Sequence, residues 1–230
     1  MDLVVLAGAV VLGVLVSPAL LRLVVRVPAM ATVGYVSEED ATISPAVRER
    51  AVRVLTPLLF AVVALRFGSS AVVVPFLFLT ATLLVVSLID LEHYRIPDRI
   101  VFPALGVSVG LITFVTLAGG YDTAHLRAAV VGSIGYFLLL LVPHLIYPKG
   151  MGFGDVKLAL LMGLYLGWLY ADPFQAVALV MWALVVGSLL GVAAGVLFAV
   201  VRGRRAEFPF GPALALGCLV VVLFSSTFAA

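Results

Sequence analysis

The chain has 230 residues, 64% of them apolar and only 11% charged, with a formal net charge of +2. A soluble domain of this size cannot hide so much apolar surface, so the bilayer must serve as solvent for much of it. The small net charge gives no reason to expect nucleic acid as a partner, and the lone Cys218 excludes an internal disulfide.

Apolar runs of spanning length follow one another along the chain: Leu3–Val25, Val52–Phe67, Ala71–Ile89, Ile100–Leu117, Arg127–Tyr147, Val156–Tyr170, Phe174–Val201 and Gly211–Phe228. They are continuous rather than alternating, which favours helices over a membrane barrel. The expectation is an all-α, polytopic membrane protein with about eight transmembrane helices, several near the short limit for a span. No basic segment precedes the first run, and Arg22 and Arg26 follow it. It therefore reads as a retained helix with its N-terminus outside. The connection from Pro28 to Ser44 is the longest polar segment and carries Glu38, Glu39 and Asp40, as a surface loop would. Small residues four apart, at Gly106/Gly110, Gly163/Gly167 and Gly187/Gly191/Gly195, permit close helix approach.

Basic residues set the expected orientation. Arg22, Arg26, Arg48, Arg50 and Arg53 flank the first connection, and Arg95 and Arg99 lie in the third. Lys149 and Lys157 flank the fifth, and Arg202, Arg204 and Arg205 lie in the seventh. Only Arg66 and Arg127 fall on the other side. By the positive-inside rule the odd-numbered connections are cytoplasmic. Asp90, Asp98 and Asp155 then emerge on one cytoplasmic face, where they can meet.

Two acidic motifs carry the chemistry. One runs Ser87-Leu88-Ile89-Asp90-Leu91-Glu92-His93-Tyr94-Arg95-Ile96-Pro97-Asp98, the other Gly150-Met151-Gly152-Phe153-Gly154-Asp155-Val156-Lys157. Carboxylates in or beside a bilayer are expensive to keep, so they are functional candidates. Peptide hydrolysis by two acids needs one ionised group to activate water and one protonated group to polarise the carbonyl, and a close pair shares a proton for that purpose. Asp90 and Asp155 suit this role. Gly152 and Gly154 give the backbone before Asp155 freedom to adopt positive φ and to let a peptide approach.

Other residues admit plainer readings. Asp98, just after Pro97, reads as the cap of the next helix. Lys157 orients Asp155 or a substrate, or snorkels to the interface. His93 reads as solvated and His144 as packed. Asp90, Glu92, His93 and Asp155 could also ligate a divalent cation, though nothing in their spacing singles this out. Neither Cys-x-x-Cys nor His-x-x-x-His occurs, which argues against a thiolate or imidazole zinc site. A proton- or cation-coupled carrier also keeps intramembrane acids, but it predicts paired repeats and broken helices near the midplane. The chain shows no repeat, and its acids gather at one face.

Asp90 with Ile96-Pro97-Asp98, then Gly152-x-Gly154-Asp155-x-Lys157-Leu158, resembles the type IV prepilin peptidases, a family of membrane aspartyl proteases. Gly163-x-x-x-Gly167-Trp168 and Phe208-Pro209-Phe210-Gly211-Pro212-Ala213-Leu214-Ala215-Leu216-Gly217 complete the resemblance, which covers about Ala71 to the end. It implies Asp90 and Asp155 as catalytic acids, with Gly152, Gly154, Lys157, Asp98 and Pro97 binding substrate or supporting the site, and no metal or cofactor. It further implies a multi-pass protein of a prokaryotic inner membrane. Its substrates would be the basic leader peptides of prepilins or type II secretion pseudopilins, cut at the cytoplasmic face. Residues 1–70 then form N-terminal helices with a short cytoplasmic loop, and residues 71–230 the membrane aspartyl peptidase domain. Many bacterial family members insert two Cys-x-x-Cys pairs near the N-terminus, linked to methylation of the new pilin N-terminus. The cysteine-free first connection puts that second activity in doubt here.

Overall fold

The structure, a computed structural model, describes residues 3–29, 43–148, 151–202 and 209–228. Glu38, Glu39, Asp40, Lys149, Gly150, Arg204, Arg205 and Phe208 lie outside the described residues. The helices are α1 (Leu3–Ala29), α2 (Pro45–Phe67), α3 (Val73–His93), α4 (Asp98–Ala118), α5 (Ala124–Ile146), α6 (Phe153–Trp168), α7 (Pro173–Arg202), α8 (Gly211–Leu223) and the single turn α9 (Ser225–Phe228). Each expected apolar run thus lies on a helix, and the protein is a polytopic helical membrane protein. Among the described residues, α1, α3, α4, α5 and α7 are long and apolar enough to cross a membrane.

The short helices have a different job. At 1.5 Å per residue, α6 and α8 extend only about 24 and 20 Å, less than the hydrocarbon thickness of roughly 30 Å. Beyond Asp155 and Lys157 near the start of α6, both are apolar on every face, and a helix of that kind belongs inside a protein. With α3 they supply most of the buried residues, while α4, α5 and α7 turn apolar side chains outward as lipid-facing helices do. The core therefore contains the helices that carry both acidic motifs.

α2 begins about two turns before the expected Val52. Pro45 occupies its first turn, and Ser44 Oγ accepts the Val47 N–H at 3.4 Å. This local cap outweighs the polarity of Arg48, Glu49, Arg50 and Arg53, which are helical rather than part of the loop. Glu49 and Arg53 pair at i,i+4 and 2.6 Å.

Close helix contacts depend on absent side chains. A Cβ at Gly132 of α5 would lie 2.5 Å from the Gly163 carbonyl oxygen of α6, and one at Gly217 of α8 would lie 2.5 Å from the Gly187 nitrogen of α7. Gly163 and Gly167 likewise sit against the Gly132 and Ala128 backbones. The pair Gly106/Gly110 does not behave this way, because a Cβ at either position would meet open space. Hydrogen bonds tie α6 to both neighbours: Ser133 Oγ of α5 donates to Leu160 O at 2.8 Å, and Tyr165 and Trp168 Nε1 donate to Ser108 Oγ and Thr116 Oγ1 of α4 at 2.9 and 2.8 Å.

Candidate active site

α3 ends one turn after Asp90. Tyr94 takes the left-handed conformation at φ 54°, and its N–H donates to Asp90 O at 2.8 Å. The chain then runs through Ile96 and an extended Pro97, and α4 starts at Asp98. α6 starts at Phe153, so Asp155 lies in its first turn, with its N–H donating to Gly152 O at 3.1 Å. Both acids are buried, and Asp155 lies within Coulombic range of Asp90. The fold brings the two predicted acids together from positions 65 apart in the chain.

Two further segments close the site. The Gly211 N–H, at the start of α8, donates to Asp90 Oδ2 at 3.1 Å. The first amides of a helix have no intrahelical acceptor, so this one is available to a carboxylate and carries the favourable end of the helix dipole. A Cβ at Gly211 would lie 2.7 Å from Asp90 Oδ2 and 3.1 Å from Ile96 Cδ1, and one at Gly154 would lie 2.8 Å from Ile96 Cβ. Ile96 is thus the side chain around which Gly154 and Gly211 close, with the two acids beside it.

Several expectations need correction. Gly152 has φ −66° and ψ 140°, and among the described residues only Gly68 and Gly120 are glycines at positive φ. Gly154 is required by its contact with Ile96, not by backbone freedom. Asp98 is not the cap of α4. Pro97 holds that position, and no side chain caps this helix end. Lys157 does not orient Asp155. Its Nζ bonds both Asp98 carboxylate oxygens at 2.7 Å and lies over the Phe153 ring, 4.9 Å from the centroid. The pair ties the start of α4 to the first turn of α6 at the rim of the site. His93 is buried rather than solvated, with Nε2 3.7 Å from Glu92 Oε2. His144 packs as expected, its Nδ1 2.9 Å from Met151 O and its ring against Phe153.

Three features are not legible in the sequence. Glu92 is fully buried and paired with Arg48 of α2 at 3.2 Å. No sequence signal links positions 44 apart on different helices. Arg48 reads there only as a positive-inside residue. Gly211 stands only inside a longer motif, whose spacing does not show that one amide reaches Asp90. Among the described residues, no three His, Cys, Asp or Glu side chains gather as metal ligands do.

Two outcomes follow from this geometry. Gly211→Ala would press a methyl group on Asp90 Oδ2 and displace the carboxyl from its N–H donor. If the acids hydrolyse peptides, turnover should fall by about tenfold or more, the size of one lost hydrogen bond to a charged group, and crowding against Asp90 and Ile96 should cost about 1–3 kcal/mol of stability. Unaltered kinetics of this variant would show that Asp90 tolerates displacement. Asp98→Asn should have a smaller effect. Asp98 is 53% exposed, so its pair with Lys157 contributes no more than about 1 kcal/mol. Turnover should slow severalfold at most, and complete loss in a folded protein would give Asp98 a larger role.

Comparison with known proteins finds a family and relatives. A model of the type IV leader peptidase family matches residues 77–229. A prepilin leader peptidase/N-methyltransferase of Pseudomonas putida is 36% identical over 185 residues, covering 77% of this chain and 59% of that protein. Proteins of the same description from Neisseria gonorrhoeae and Burkholderia pseudomallei (strain K96243) are 34% and 35% identical, covering 76% and 70% of this chain and 57% and 50% of theirs. The chain spans between half and three fifths of the length of these relatives. No solved structure matches it.

Proposed function

The chain belongs to the type IV leader peptidase family, and from this premise we propose that it is a membrane endopeptidase using Asp90 and Asp155. Its substrates are prepilin or pseudopilin precursors, cut between a short basic leader and the apolar helix that follows. One carboxylate activates a water molecule and the other, protonated, polarises the scissile carbonyl. The observation that carries this reading is the convergence of Asp90, Ile96, Asp155 and the Gly211 amide in one buried cluster.

Residues 71–230 form the catalytic unit in this proposal, and residues 1–70 brace it. The Arg48–Glu92 pair supports the division, because it fixes the end of α3 two residues beyond Asp90. Gly152, Gly154, Pro97, Asp98 and Lys157 shape or support the site. The protein sits in a prokaryotic inner membrane with the acids facing the cytoplasm, as the lysine and arginine asymmetry supports. Catalysis by an acid pair draws on water alone, so no cofactor or metal is required. N-methylation is left to the relatives whose names include it.

The deciding experiment uses proteoliposomes and a synthetic peptide with a basic leader and an apolar segment. Appearance of a single cleavage product supports the endopeptidase. Solute or cation flux without cleavage would favour a carrier instead. Mass spectrometry of the product should show a free N-terminal amine even when a methyl donor is supplied. Orientation is tested by cysteine labelling at Arg95, which is exposed, whereas Glu92 is buried. Labelling from the outside only would reverse the assignment.

A further inference from the structure

Tyr136 of α5 is fully buried, and the mechanism above gives it no role. α5 and α6 run antiparallel, with Ala128 against Gly167 and Gly132 against Gly163. Carried on by one turn, this register sets Tyr136 level with Ala159, one turn of α6 from Asp155, or about 6 Å along the axis. Ala159 is buried and small, which leaves room for the ring. The Tyr136 hydroxyl lies within Coulombic range of Asp155 and of Cys218 on α8.

That hydroxyl has no hydrogen-bond partner among the described residues, and neither has Asp155 Oδ1. Both oxygens are buried. A phenol O–H is a donor and a carboxylate oxygen an acceptor. Buried polar groups are almost always satisfied, by protein or by ordered water. A donor and an acceptor with complementary needs, on neighbouring helices and beside the candidate acid pair, point to one shared connection.

We propose that Tyr136 is a positioning residue for Asp155: its hydroxyl donates to one bridging water, which donates to Asp155 Oδ1 and fixes the orientation of that carboxyl. The inference rests on the peptidase reading above. Other titratable groups near Asp155 have their own contacts: Glu92 of α3 meets Arg48 and His93, and His144 of α5 lies 2.9 Å from Met151 O with its ring on Phe153. Asp90 of α3 is held by Gly211, and Asp98 of α4 pairs with Lys157 at the rim. Cys218 of α8 is buried, and α7 carries no titratable side chain from Pro173 to Val201.

The test compares wild-type protein, Tyr136→Phe and Tyr136→Leu in proteoliposomes with the synthetic leader peptide. Phe keeps the ring and removes only the oxygen. It should leave KM unchanged and lower kcat by about tenfold or more. A lost donor disfavours the ionised carboxyl, so the limb of the pH–rate profile that Asp155 governs (acidic if it is the base, basic if it is the acid) should move to higher pH by about half a unit or more. If Tyr136 merely packs, Phe should match wild type while Leu alone is impaired, and that outcome overturns the proposal. Fluorination of the Tyr136 ring keeps its shape and strengthens the phenol as a donor. It should move that same limb the other way, and an unmoved limb also overturns the proposal, whatever the fate of the Phe variant. Wild-type protein that is folded but never cleaves the peptide would defeat the peptidase reading and this inference together. Wild-type cleavage with an unchanged Phe variant would defeat this inference alone.

Discussion

Asp90→Asn and Asp155→Asn should each reduce cleavage of a leader peptide by roughly a thousandfold or more, about 4 kcal/mol of transition-state stabilisation. An amide keeps the shape of the acid but cannot share a proton within a pair. The fold should survive both changes. In the Asp90→Asn variant the amide oxygen can still accept the Gly211 N–H, and an amide at position 155 removes the cost of burying an acid beside another. The melting temperature should hold or rise. The double variant should be no worse than either single one, because members of one catalytic unit do not add. Rates within a few-fold of wild type for either single variant would remove the acid pair from the mechanism.

Gly163→Leu should have the largest effect on the fold itself. α5 and α6 form the most extensive helix pair, and at Gly163 the backbones touch. A side chain there meets the Gly132 carbonyl and the Ser133 Cα, which are main-chain atoms that cannot rotate away. Separating the helices would also disturb the Ser133–Leu160 hydrogen bond and the seating of Asp155. We expect a loss of about 3 kcal/mol or more, or roughly 10 °C in melting temperature, and reduced recovery from the membrane. Gly106→Leu is the control. It faces open space on α4, so it should change stability by no more than about 0.5 kcal/mol. Equal behaviour of the two variants would mean that the α5–α6 contact is looser than this packing requires.

Hydrophobicity made the helices legible in the sequence. An apolar run of spanning length must satisfy its own backbone in lipid, and a helix does so locally, so each run announced a helix without reference to any other. The two acids were legible for a related reason. A carboxylate is costly in such surroundings, so Asp90 and Asp155 stood out against the apolar background. What sequence could not give was the partner of each polar group. Glu92 read as one of several possible cation ligands and Arg48 as a residue flanking a loop, yet the two are buried together and pair across 44 positions. Asp98 looked like a cap until Lys157, 59 positions on, proved to hold it. Gly106/Gly110 and Gly163/Gly167 share one spacing, and only the second pair is an interface, because spacing fixes a face of a helix but not what lies against it. Gly211 makes the same point at the site, where helix packing alone decides that its amide meets Asp90 and that no larger residue fits. The chain by itself thus determined which segments are helical and which acids are costly to keep. The tertiary structure decided which groups relieve that cost, since long-range pairing depends on how helices pack rather than on any local pattern.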